Sequence, residues 1–103
     1  MYLDNGAIQN MYGVSLAGLG DWNAAIDAFE RAEKLAYPRT DWFLKSIAYA
    51  ELEDRENATK ALDRGVKAWD AMDQWRTNHP WESGQIAARR KRAVEKLSGS
   101  NVQ

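Results

Sequence analysis

Few side chains in this chain are suited to chemistry, and they are scattered. It has one histidine, His79, and no cysteine. Disulfides and thiolate metal sites are thereby excluded, and His79 has no second imidazole with which to share a metal ion. It precedes Pro80 in the polar stretch Arg76-Thr77-Asn78-His79, with no nucleophile beside it to form a triad, and reads as a loop or capping residue. The carboxylates Asp27, Glu30, Glu51, Glu53 and Glu56 fall on predicted helix surfaces or turns. No two of them are placed as a pair for general acid–base work. No catalysis, cofactor or metal is expected.

The run Arg89-Arg90-Lys91-Arg92 could in principle neutralise phosphates and release their counterions. Four consecutive residues on a helix, however, point around most of its circumference, and no aromatic residue interleaves them for base stacking. A solvated helix whose cations suit its C-terminal half is the simpler reading. The net charge of −1 gives no overall attraction to nucleic acid or to an anionic membrane. No segment has the length of a membrane span, and the start Met1-Tyr2-Leu3-Asp4 carries no leader pattern, so a cytoplasmic protein or fragment is expected.

What must position any binding residues is a set of helices. In 103 residues, 45% of them hydrophobic, there is material for one domain with a modest core, and five Trp supply large anchors for thin layers. From about Asn5 to Leu19, Ile8, Met11, Tyr12, Leu16 and Leu19 recur at spacings of three and four, which predicts an amphipathic helix. Gly20 and Asp21 end it and cap a second helix reaching about Leu35, stopped at Tyr37-Pro38. A third helix is predicted over roughly 41–52, capped by Thr40 or Asp41. Asp54 caps a fourth, starting near Arg55 and running past Trp69 towards Trp75. After a polar connection at 76–79, Pro80 opens a fifth helix to Leu97, and the tail frays.

Sliding the chain against itself by 33 residues aligns Ala17 with Ala50, Leu19 with Leu52, Asp21 with Asp54, Ala25 with Ala58, Ala28 with Ala61 and Arg31 with Arg64. A shared helical period aligns apolar positions by chance, but not the capping Asp and the small residues together. The chain therefore reads as a duplicated helix-turn-helix unit.

These residues resemble the tetratricopeptide repeat, whose pattern is W-x2-L-G-x2-Y, then A-x3-F, then a further small residue and a Pro. The first unit matches at Gly13, Gly20, Ala25, Phe29 and Ala32, with Gln9 in the Trp slot and Leu16 in the Tyr slot. The second matches at Trp42, Tyr49 and Ala58, with Ser46 and Gly65 in small slots and Leu62 in the aromatic one. A narrower resemblance is carried by Gly13-Val14, Asp41-Trp42-Phe43 and the segment from Leu62 to Trp69. It is to repeat modules near the C-termini of large multidomain bacterial proteins, some with protein kinase domains.

The resemblance implies an all-α superhelix of about five helices in one domain over 1–103. Repeat one spans about 6–38, repeat two about 39–72, a connection and capping helix about 73–98, and a frayed tail 99–103. Repeats of this kind cannot cover their own apolar faces, and their ends need caps. The fifth helix, with Ile86, Ala93, Val94 and Leu97 on one side, suits the C-terminal end. The first helix has no cover, so its outer face is expected to meet an upstream segment or another copy. Trp69, Trp75 and Trp81 are expected to pin the fifth helix to the second repeat.

The resemblance also implies a concave groove lined by the first helix of each unit. From unit one it draws Ala7, Asn10, Met11, Val14 and Ala17; from unit two, Thr40, Phe43, Leu44, Ile47, Ala50 and Glu51. A groove of this composition is mainly apolar and suits an apolar peptide or an amphipathic helix of a partner protein. It offers only Asn10 towards a carboxylate clamp. The competing expectations are that Phe43 and Ile47 are core, covered by the chain's own termini or by a dimer mate, and that the repeats serve homodimerisation.

Overall fold

The computed structural model of the chain describes residues 5–37 and 40–99, which form six helices: α1 (Asn5–Gly18), α2 (Trp22–Lys34), α3 (Trp42–Glu51), α4 (Arg55–Ala71), α5 (Asp73–Asn78) and α6 (Pro80–Gly99). The helices pair as hairpins, α1 with α2 and α3 with α4, and α3 also lies on α2. Among the described residues, no helix is long and apolar enough to cross a membrane. The expected stop at Pro38 and the tail from Ser100 onward lie outside the described residues. Within them, α2 ends before Tyr37, and α6 runs two residues beyond Leu97.

Three helix ends use one device. After α1, Gly20 takes a left-handed φ of 78° and donates to Ala17, while the Asp21 N–H reaches back to Leu16. After α2, Ala36 and Tyr37 make the equivalent bonds to Glu33 and Ala32; after α3, Glu53 and Asp54 make them to Ala50 and Tyr49. Each pair closes the last free carbonyls in a Schellman arrangement. An Asp then caps the helix that follows α1 and α3: the Asp21 side chain accepts from the Ala24 N–H at 3.4 Å and Asp54 from Asn57 at 3.2 Å. The 33-residue shift of the sequence thus recurs as one pair of caps at both hairpin turns.

Only the first left-handed position is glycine. Ala36 at φ 59° and Glu53 at φ 62° place a Cβ against their own carbonyls, at a cost of about 1–2 kcal/mol each. Glycine relieves that strain but enlarges the unfolded ensemble, so Ala36→Gly and Glu53→Gly should each stabilise by a net ~0.5–1 kcal/mol. The expected readout is a higher urea midpoint at unchanged slope. A lower midpoint in both variants would contradict the left-handed caps.

The hairpins are tight because each sets an aromatic ring against a glycine. A methyl group at Gly13 would lie 2.6 Å from the Phe29 ring, and one at Gly65 would lie 2.7 Å from the Phe43 ring. Unit one carries its ring on the second helix and unit two on the first, so the two units solve one packing problem in opposite senses. In unit two the Ser46 hydroxyl also donates to the Ala58 carbonyl across the hairpin at 2.7 Å. Between the hairpins, buried Lys45 donates from Nζ to Glu33 at 2.6 Å, with Glu30 at 3.9 Å and the Trp42 ring 5.2 Å below the ammonium. A buried cation needs such partners.

The expected fourth helix breaks at Met72, which caps both α4 and α5 with φ −101° and ψ 29°. The stretch expected to be a polar connection is itself helical, held by the Asp73–Arg76 ion pair at 2.9 Å and the Thr77 hydroxyl on the Asp73 carbonyl. His79 closes α5, its Nδ1 2.8 Å from the Trp75 carbonyl and its ring stacked on the Trp75 indole. Two of the three Trp expected at this junction border α6: Trp69 lines a pocket with Ile86, and Trp75 another with Glu82, Gln85 and Ile86. Trp69 packs under the Arg76 guanidinium at 4.8 Å and Trp75 under His79, whereas Trp81 is 69% exposed.

Candidate interaction cleft

What holds α6 is a set of polar contacts around one small buried residue. Ala93 is buried in a cluster with Ala17, Ala25, Phe29, Leu44 and Ile47. On either side of it, Arg89 pairs with Asp41 at 2.6 Å and Lys96 pairs with Glu51. The Arg55 guanidinium donates to the Leu97 carbonyl at 2.7 Å near the helix end. These contacts lay α6 mainly on α3 and less on α4. α6 therefore covers the side of α3 that the expected groove needed open.

That placement corrects the expected groove. Ile47 is fully buried, and Phe43 and Leu44 are 3% and 6% exposed. Phe43 turns its ring across the hairpin to the space left by Gly65, and Ile47 and Leu44 lie in the core that Ala93 completes. Of the two readings of these residues, core formation by the chain's own C-terminal helix holds. Glu51 stands at the far end, engaged by Lys96, and Met11 is 59% exposed. Thr40 is buried, its hydroxyl on the Tyr37 carbonyl.

Asn10, Val14, Ala17 and the small exposed part of Leu44 do share a cleft. It runs between α1 and α6 over the edge of α3, with Val14 and Arg89 common to its two lobes. The larger lobe, about 580 Å³, is lined by Val14, Ala17, Trp22, Leu44, Arg89 and Arg92 together with the turn at 18–20. The smaller, about 200 Å³, extends past Asn10, Tyr37, Asp41, Gln85 and Ile86. The α6 wall could not be placed from sequence, because only the fold brings the Arg89-to-Arg92 run to α1. The run does splay as its spacing requires: Arg89 turns inward, Arg92 reaches the rim and Lys91 faces solvent.

Asp41 organises the cleft. One carboxylate oxygen caps α3 by accepting from the Leu44 N–H at 3.0 Å; the other accepts from Arg89. Its own N–H donates to Asn10 Oδ1 at 2.8 Å, so Asn10 ties α1 to the start of α3. Burial pushes the Asp41 pKa up. The Arg89 charge and the Leu44 and Arg89 hydrogen bonds oppose that shift without cancelling it. Among the described residues, no cluster of three His, Asp or Glu side chains could hold a metal ion. No family model, curated protein or solved structure matches the chain.

Proposed function

We propose that the protein is a non-catalytic interaction module of two tetratricopeptide-like hairpins. It receives an apolar peptide or amphipathic helix of a partner protein in the cleft between α1 and α6, and such a module suits an accessory role within a larger protein. The observation that supports this reading is the cleft's composition. Half-buried Val14 with Ala17 and Leu44 makes an apolar floor, and Arg92 stands at the rim with no ion pair among the described residues. Apolar floors with a few convergent polar groups are how proteins hold small helical ligands. The partner segment would lay its apolar side on Val14 and turn a carboxylate to Arg92.

The test is fluorescence anisotropy with labelled amphipathic helical peptides that carry one acidic residue beside the apolar stripe. Arg92→Glu should weaken binding by about tenfold, equivalent to about 1.4 kcal/mol. Lys91→Glu makes the same charge change on the solvent side of α6 and should leave binding unchanged. Equal losses in both variants would mean general electrostatics, and the cleft would not be the site.

A further inference from the structure

α1 contains no charged residue from Asn5 to Gly18. Its buried positions, Gly6, Gly13 and Ala17, face α2, and the opposite stripe carries Ile8, Met11, Tyr12, Ser15 and Leu19. The four large side chains of that stripe are 42%, 59%, 53% and 82% exposed. Isolated exposed apolar residues are ordinary, but a continuous uncharged stripe is not.

The chain itself shows what covers such a face. The 33-residue shift that superposes the two units carries Met11, Tyr12 and Ser15 onto Leu44, Lys45 and Ala48 of α3. All three are buried, and Lys45 is tied to Glu33 of α2, the neighbouring helix. The equivalent face of α1 has no such neighbour among the described residues.

We infer that a second copy of the chain covers it, α1 packing antiparallel on α1 across a two-fold axis near Tyr12 and Ser15. In a two-fold contact each residue meets the equivalents of its own face, so a charged stripe would oppose itself. The α1 stripe has no charge to repel. The exposed side of α6, with Lys91 and Glu95 in its middle, lacks that property. A contact confined to one helix of 14 residues falls short of the ~1,600 Å² typical of stable complexes, so the dimer is concentration-dependent. Its interface meets the α1–α6 cleft only at Leu19, which also lines the larger lobe.

Light scattering after size exclusion, over roughly a hundredfold range of concentration, should show the mass rising from 11.7 kDa towards twice that value. Tyr12→Glu and Tyr12→Arg should each weaken association more than tenfold while far-UV circular dichroism stays at wild type. Mixed in equal amounts, the two variants should associate again, because a two-fold contact near Tyr12 sets the glutamate against the arginine. Val94→Glu, on α6, should dimerise as wild type does. Three outcomes each overturn the inference: a wild-type monomer throughout, which would leave the stripe to an upstream segment or a different protein; a mixture that stays monomeric; or loss of association in Val94→Glu alone.

Discussion

Ile47→Glu is expected to unfold the protein, not to silence a binding surface. Ile47 is fully buried within the cluster closed by Ala93, with no polar group there to receive a carboxylate. Losing its apolar burial costs about 1.5–3 kcal/mol. Forcing a charge, or a carboxyl protonated at the cost of a shifted pKa, into that cluster costs several kcal/mol more. Together these approach the ~5–15 kcal/mol that a domain of this size has in total. Ile47→Val, which removes one methylene, should cost only ~0.5–1.5 kcal/mol and retain a cooperative transition. Thermal unfolding followed by circular dichroism separates the cases: wild-type melting of Ile47→Glu would mean that α6 does not cover α3. Met11→Glu is the contrast, since its site is more than half exposed and its helicity should persist.

The difference between Met11 and Ile47 marks where sequence reading stops. Helix limits were legible because local chemistry sets them. Asp21, Asp41 and Asp54 announce helix starts, and Gly20 announces an end. The left-handed caps at Ala36 and Glu53 were less so, because no glycine stands there, and the break at Met72 carries neither glycine nor proline. The groove depended on contacts that leave no local trace. Asn10 meets Asp41 across 31 positions and Arg89 meets Asp41 across 48. Periodicity gives α6 an apolar side without saying which layer that side covers. Its one deeply buried residue, Ala93, is too small to stand out as an anchor. Phe43 shares its slot with Asn10 of unit one, and only the room left by Gly65 turns its ring away from the groove.

Asp41→Ala tests the link between the cap and α6, and its expected cost is roughly 2–4 kcal/mol. About 1 kcal/mol is the lost N-cap of α3, and the remainder is the charged hydrogen bond to Arg89. The part-exposed Arg89 can recover some hydration, which keeps the loss below that of a fully buried pair. Asp41→Asn retains an acceptor for the Leu44 N–H and should lose less. It also isolates a pH effect. Burial raises the Asp41 pKa above its ordinary value of 3.8, so the folded state holds this proton more tightly than the unfolded chain does. Its titration therefore favours folding fully below the unfolded-state value, and that contribution is lost as pH rises through the folded-state value. The stability of wild type relative to Asp41→Asn should accordingly decline from acid towards neutral pH. Urea titrations at several pH values give the sign directly. A wild-type advantage that grows with pH would mean that the Arg89 ion pair outweighs desolvation, and that Asp41 grips α6 more firmly as an ion than as an acid.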